Sequence, residues 1–207
     1  MIVEITQIGN QKNKDKFNLF VDGEFFSGVL KETAIANNLF VGKKIERGQL
    51  EDIILQSEAK QAFSKASDYL AARLHSCREI YNKLLAKGYS KPAINMAIEK
   101  LKEYGYLDDW QFAKTFVQAN NKLSKMQLAA KLASRGVSSQ DANAALLSVD
   151  NSEQQQLAIS LAQKFASSKS NDEGLHAKLY AHLARKGFDH YTITRAIKVA
   201  TGKDIQD

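Results

Sequence analysis

Three segments of the chain, LLAKGYSKPAINMAI (residues 84–98), LASRGVSSQDANAAL (132–146) and LARKGFDHYTITRAI (183–197), align with one another without a gap. Their glycines, Gly88, Gly136 and Gly187, are 48 and 51 residues apart. Repetition at a nearly constant period of this length is typical of proteins that are built from tandem helical units. The internal repeat therefore decides the expected fold.

Each repeat predicts two helices joined by a tight glycine turn. A leucine stands four residues before each glycine and an apolar residue directly after it, and these are the positions that touch in a Schellman helix ending. The glycine falls at the left-handed position of that ending, which glycine adopts without steric cost. Ser90, Ser138 and Asp189 follow two residues later and are good N-caps for the next helix. The only proline, Pro92, falls in the first turn of such a helix, where its missing N–H does least harm.

The sequence therefore predicts a mainly α protein of three tandem three-helix repeats in an elongated, curved array. Amphipathic segments before the glycine turns supply the third helix of each repeat. They are residues 62–74, 109–121 and 157–165. The pairs Ser76/Glu79, Ser124/Gln127 and Ser170/Glu173 fit helix capping boxes. The predicted divisions are a β-rich module at 1–48, a connecting helix at 49–61, and repeats at 62–108, 109–150 and 151–207.

The N-terminal segment has a different pattern, which predicts a small β-rich module. Residues 2–8 are largely β-branched and alternating, as in a strand. Asp22-Gly23 separates two apolar runs, 17–21 and 24–27, and accepts the positive φ angles of a type I′ hairpin turn. We expect a short helix over 31–38 and a further strand at Phe40-Val41.

Composition narrows the class of protein. The chain has 207 residues with 1 proline and 1 cysteine, Cys77, which excludes an internal disulfide framework and a Cys-based zinc finger. No apolar stretch reaches the roughly 18 residues of a membrane span, and the first residues do not resemble a signal peptide, so we expect a cytoplasmic protein. Residues 1–60 hold eight Lys/Arg against nine Asp/Glu, whereas 61–207 hold 21 against 14. The net charge of +6 therefore comes from the repeats.

Residues that could carry catalysis have simpler explanations in helix structure. His75, Ser76 and Cys77 are direct neighbours, and side chains at such spacing do not face one another on a helix. Asp108 and Asp109 precede a predicted helix and are explained by N-capping, with a metal or partner contact as the alternative. The other histidines lack metal-pair spacing, and no nucleotide-binding or hydrolase motif is present. We expect no enzymatic activity, cofactor or metal.

Basic residues recur at the glycine turns and are the candidate site for an anionic partner. They are Lys83, Lys87, Lys131, Arg135, Arg185 and Lys186. Cations in the last turn of a helix also complement its dipole, so a purely structural role remains open. The helix–turn–helix pattern further resembles a DNA-reading motif, but the second helices carry no consistent set of base-reading side chains. Contact with phosphates without sequence specificity is therefore the more plausible form of nucleic-acid binding.

The chain resembles the RecX family, the regulators of the RecA recombinase. The resemblance is carried by YLAARLHSCREIYNKLLAKGY (69–89), EYGYLDDWQFAKTFV (103–117), LASRGV (132–137) and LARKGF (183–188). It covers residues 62–200, while the first fifty residues resemble the N-terminal extension of longer members. Departures are Cys77, where a polar or charged residue is usual, and the polar insertion 167–172 in the last repeat.

This resemblance implies a non-enzymatic protein built of tandem three-helix repeats. Such proteins lie in the helical groove of the RecA–DNA filament and modulate or inhibit its ATPase and strand-exchange activity in recombination, DNA repair and the SOS response. The implied partners are the RecA filament and DNA, single- or double-stranded, and we expect a monomer. Two alternatives remain: a helical-repeat protein that binds DNA without RecA, and a plain helical scaffold.

Overall fold

The computed structural model describes residues 1–11, 15–168 and 174–202. The described chain is mainly helical and begins with a four-stranded antiparallel sheet, as predicted. It divides into two compact units, Met1–His75 with Glu79–Leu107 and Ser76–Arg78 with Asp108–Asp207. None of the helices in the described ranges is long and apolar enough to cross a membrane.

The sheet has the strand order β3-β2-β1-β4. Its strands are β1 (Ile2–Asn10), β2 (Lys16–Val21), β3 (Glu24–Leu30) and β4 (Lys44–Glu46). The predicted hairpin is confirmed, because Asp22 and Gly23 join β2 to β3 with φ angles of 50° and 89°, as a type I′ turn requires. Alternate side chains of the strands, including Ile5 and Leu19, are fully buried in one apolar cluster.

The predicted strand at Phe40-Val41 is wrong. Both residues lie in a turn and are more than half exposed, and the fourth strand is instead β4. Val3 of β1 pairs with Ile45 of β4, and Ile45 is buried in the sheet cluster. Pairing with a distant strand, and not local β propensity, places this short charged segment in the sheet.

The rest of the first unit is helical. Its helices are α1 (Lys31–Ala36), α2 (Arg47–Ala72), α3 (Cys77–Leu85) and α4 (Lys91–Glu103), of which the first residues of α3 cluster with the second unit. The 26-residue α2 runs without a break through the predicted junction between the connecting helix and the first repeat. Ile53 and Ile54 near its start pack on the sheet cluster, and Ala62 and Ala66 are fully buried further along. One helix thus serves both the sheet and the first repeat.

The second unit contains six helices within its described residues. They are α5 (Asp109–Ala119), α6 (Lys125–Ser134), α7 (Ser139–Leu146), α8 (Asn151–Ser167), α9 (Leu175–Arg185) and α10 (His190–Thr201). The first three share one apolar cluster around Leu128 and Leu132. The last three share another around Leu179 and Leu183. This is the three-helix organisation that the repeat predicts, whereas the five predicted segment boundaries stay predictions.

Predicted helix caps are largely confirmed. Ser90, Ser138 and Asp189 each accept a hydrogen bond from the backbone N–H three residues on. Ser124 and Gln127 form a complete capping box at the start of α6. The predicted box of Ser170 and Glu173 lies outside the described residues, and that of Ser76 and Glu79 stays a prediction.

Candidate functional site

The three glycine turns have the same backbone geometry. Gly88, Gly136 and Gly187 have φ angles of 86°, 78° and 84°. The residue after each glycine donates its N–H to the carbonyl of the leucine four residues before that glycine, over N···O distances of 3.3, 3.1 and 3.4 Å. The glycine N–H donates to the carbonyl three residues before it. Both bonds together define the Schellman ending, so this prediction is confirmed.

Two of the candidate basic residues are exposed lysines. Lys87 is the second residue after the end of α3, and Lys131 lies in the last turn of α6. Within the described parts of the chain, neither lysine forms an ion pair. Their ammonium groups are therefore available to an anionic partner, although each also lies where a cation complements the helix dipole.

Other candidates are held against aromatic rings. The Lys83 Nζ lies 4.6 Å from the ring centroid of Tyr69. The half-buried Arg135 guanidinium lies 4.8 Å from the centroid of Phe116 and 6.0 Å from that of Phe112. Cation–π contacts of this kind are worth about 0.5–2 kcal/mol. Arg135 therefore helps to cover the apolar cluster of its own repeat.

The third repeat has different chemistry at its turn. His182 stands where the first two repeats have Lys83 and Lys131, and its ring centroid is 4.7 Å from that of Phe165. Burial, reinforced by the neighbouring charges of Lys186 and Arg185, lowers the pKa of His182 below its usual value. The Arg185 Nε donates to the Ala181 carbonyl at 3.2 Å. This turn is thus basic through Arg185 and Lys186 only.

A pair of serine hydroxyls contacts two of the glycine turns. The Ser76 Oγ donates to the carbonyl of Arg135 at 2.6 Å, and the Ser124 Oγ donates to the carbonyl of Lys186. Each acceptor directly precedes a turn glycine, and each serine is almost completely buried. Sequence reasoning assigned these serines to helix caps and missed their contacts with the turns, which span 59 and 62 residues of chain.

The same helix ends make two further contacts that repeat. Arg78 and Met126, each two residues after its serine, lie against Gly136 and Gly187 so closely that a Cβ on either glycine would overlap them. In both cases, the residue between the serine and the side chain that lies on the glycine donates its backbone N–H to a side-chain oxygen. Cys77 N–H donates to Asp109 Oδ1 at 2.8 Å, and Lys125 N–H donates to Gln154 Oε1 at 3.0 Å. A helix N-terminus therefore docks on a glycine turn twice, in the same way.

The neighbouring residues His75, Ser76 and Cys77 contribute to helix ends. The buried His75 Nδ1 lies 2.8 Å from Glu79 Oε2, and burial lowers the pKa of His75 although the Glu79 contact opposes this. Asp108 accepts the Gln111 N–H and caps α5, as predicted, whereas Asp109 binds the start of α3. In the described ranges, no three His, Cys, Asp or Glu side chains are grouped as a metal site would require.

Comparison with known proteins identifies the family that has this architecture. Residues 3–46, 62–101 and 152–197 match the models of the regulatory protein RecX N-terminal domain, the first RecX three-helix domain and the third RecX three-helix domain. The regulatory protein RecX of Bacillus licheniformis is 30% identical over 200 residues, which cover 94% of this chain and 76% of that protein. The chain belongs to the RecX family. The sequence resemblance is thereby confirmed and extends to the N-terminal module.

Other RecX proteins match most or all of the chain. The regulatory protein RecX of Clostridium beijerinckii is 26% identical over 212 residues, covering 100% of both chains. A solved structure of regulatory protein RecX has a TM-score of 0.71 and 23% identity over 95% of this chain and 98% of that one. RecX from Lactobacillus salivarius gives a TM-score of 0.64 and 22% identity over 69% and 96% of the two chains. These two structures share the RecX fold with this chain.

Proposed function

We propose that this RecX-family protein is a non-enzymatic regulator that binds the RecA–DNA filament and restrains its ATP hydrolysis and strand exchange. The observation that carries the proposal is the similarity to proteins named regulatory protein RecX over 94% of the chain. We take the RecA filament as the partner because the RecX family consists of regulators of RecA. The binding surface has to be argued from the residues of this chain.

The charge of the repeats supports an anionic partner. Lys87 and Lys131 are exposed at equivalent ends of α3 and α6, and Arg185 is exposed in the last turn of α9. A nucleoprotein filament offers phosphates and acidic protein surface in a periodic arrangement. Several weak contacts on one chain raise the overall affinity, because each contact increases the effective concentration of the next. We therefore assign the exposed lysines as the principal contacts of the candidate set.

The positions of the polar and acidic groups support a role without catalysis. The Ser76 hydroxyl donates to a backbone carbonyl, the His75 ring contacts a carboxylate, and Asp108 caps a helix. Each of these groups has a structural partner that accounts for its position. On this proposal, the protein changes the rate of the RecA reaction by binding alone, as a monomer.

Binding to DNA without RecA is the second candidate, and the same exposed lysines favour it. The two candidates are separated by comparing fluorescently labelled single-stranded DNA, bare and coated with RecA in the presence of a slowly hydrolysed ATP analogue. We expect binding to the coated DNA at least ~10-fold tighter than to bare DNA, since that ratio corresponds to about 1.4 kcal/mol of contact with the filament protein. Equal affinity for both would overturn the proposed role and favour the second candidate.

A further inference from the structure

The turn at Gly88 has the geometry of the other two glycine turns, but no side chain of the described residues covers its glycine. At Gly136 and Gly187, a buried serine hydroxyl binds the carbonyl before the glycine, and a side chain covers the glycine itself. At Gly88, a Cβ would meet no described atom within 4 Å, and Lys87 and Gly88 are both exposed. The Gly88 turn nevertheless has the same φ angle and the same two Schellman hydrogen bonds.

A second feature distinguishes the open turn. Leu85, three residues before Gly88, is 42% exposed, whereas the equivalent residues of the other repeats are the alanines 133 and 184. An exposed leucine beside an uncovered helix end adds apolar area that a protein partner can bury.

We propose that the Gly88 turn is a docking surface for the N-terminus of a partner protein's helix whose N-cap is serine or threonine. The proposal continues an interface that the chain forms twice with its own helices. The partner's hydroxyl would donate to the Lys87 carbonyl, and the side chain two residues further along its helix would lie on Gly88. A phosphodiester of the DNA backbone cannot take this place, because it carries no O–H or N–H donor for the carbonyl.

A second copy of this chain is not the fitting occupant. Ser76 and Ser124 stand twelve residues before their own turn glycines, and the equivalent residue of the last repeat is Leu175. The N-cap of α9 is Gly174, which makes no side-chain capping bond. Among the described residues, the start of α9 therefore carries no N-cap hydroxyl of the kind that head-to-tail stacking on Gly88 of another copy would require, which points to a different protein as its source.

The experiment rests on the proposed function, since the partner tested is the RecA filament. The variant is Gly88→Asn, because asparagine tolerates positive φ and places a side chain where the partner would lie. The matched control is Gly105→Asn. Gly105 also has a positive φ of 71°, ends α4 in a Schellman motif, and has no described atom within 4 Å of a Cβ. Both variants therefore carry the same backbone cost in the free protein, which circular dichroism and urea unfolding will verify.

We expect Gly88→Asn to weaken binding to RecA-coated DNA at least tenfold and Gly105→Asn to change it less than twofold. If the wild-type protein fails to bind the coated DNA more tightly than bare DNA, the proposed function is overturned, and the docking surface with it. If the wild type binds and the two variants bind equally well, only the docking surface is overturned. If Gly88→Asn weakens binding to bare DNA as much as it weakens binding to RecA-coated DNA, the protein docking surface is also overturned, because the ligand at the turn would then be nucleic acid.

Discussion

Gly136 and Gly88 have the same backbone conformation in different surroundings. Both have positive φ angles, but only Gly136 lies against another side chain, that of Arg78. Glycine can thus be required at a helix end for two reasons. One is the left-handed backbone conformation, and the other is the close approach of a neighbouring side chain. The sequence predicted the first reason at both sites and could not predict the second, because Arg78 lies 58 residues away along the chain.

Alanine at these two positions should destabilise the protein unequally. The positive φ costs an L-residue about 1–2 kcal/mol at either site. Gly136→Ala also forces its Cβ into Arg78, which adds about 1–3 kcal/mol of overpacking. Urea unfolding followed by circular dichroism should therefore show a larger loss of unfolding free energy for Gly136→Ala than for Gly88→Ala. An equal loss in the two variants would contradict the close contact.

Acidification should destabilise the protein through two histidines. Burial lowers the folded-state pKa of both His75 and His182, and in His182 the nearby Lys186 and Arg185 add to it. The unfolded chain therefore binds protons at a higher pH than the folded chain. Each neutral histidine therefore contributes to the free energy of unfolding. This contribution is fully present above the unfolded-state pKa of about 6.5 and is lost as the pH falls toward the lower folded-state pKa.

Two variants measure this pH dependence. The urea midpoint of the wild type should fall between about pH 7.5 and pH 5.5, since the unfolded histidines titrate in that window. His75→Gln and His182→Gln should each show a smaller fall, because each removes one of the two histidines whose folded-state pKa is lowered. If the fall is as large in both variants as in the wild type, other groups are responsible.

At the scale of elements, helix starts differ in whether they also bind a second element. Ser124 and Ser138 both cap a helix through the backbone N–H three residues on. Ser124 is 1% exposed and donates its hydroxyl to the Lys186 carbonyl, whereas Ser138 is exposed and donates to the Asp141 carboxylate of its own helix. The first serine therefore joins two repeats of the second unit, and the second stabilises one helix end.

Replacing the two serines by alanine should show this difference in the free energy of unfolding. Loss of an N-cap costs about 0.5–2 kcal/mol in either variant. Ser124→Ala additionally removes the part-buried hydrogen bond to the Lys186 carbonyl, which costs about 0.5–1.5 kcal/mol more. Thermal unfolding should place the Tm of Ser124→Ala below that of Ser138→Ala. The reverse order would show that the serine–carbonyl contact contributes nothing.

Most helices, strands and turns could be predicted from residues that are close in the sequence. The features that could not be predicted depend on contacts between residues far apart in the sequence. The Asp22-Gly23 turn, the glycine endings and the caps were predictable because each depends on residues within a few positions. The fourth strand was misplaced because its pairing with β1 involves residues about 40 positions apart. The candidate site was predictable as a set of charges, whereas the ring contacts of Arg135 and Lys83 required the folded structure.

At the scale of the whole molecule, the question is whether the position of the basic residues matters or only their number. The double variant Lys87→Glu/Lys131→Glu reverses exposed charges at two equivalent helix ends. The matched control, Lys44→Glu/Lys122→Glu, reverses two exposed lysines that do not belong to the three repeated glycine-turn segments. Each reversal subtracts two charges, so both variants fall from +6 to +2.

We expect the turn variant to bind RecA-coated DNA about tenfold more weakly than the control, equivalent to about 1.4 kcal/mol. The difference should shrink as the salt concentration rises, because exposed charges are screened. Equal affinities of the two variants would show that net charge alone governs binding and that the turn lysines are not the contact site.

The rate of ATP hydrolysis by RecA tests most directly whether this protein acts on the RecA filament and not on DNA alone. RecA filaments are assembled on single-stranded DNA with excess ATP, and the protein is titrated in at concentrations that leave bare DNA largely unbound. We expect the rate of ATP hydrolysis to fall progressively and to reach a plateau as the protein is added. A rate that stays constant while the protein is bound to the filament would contradict it.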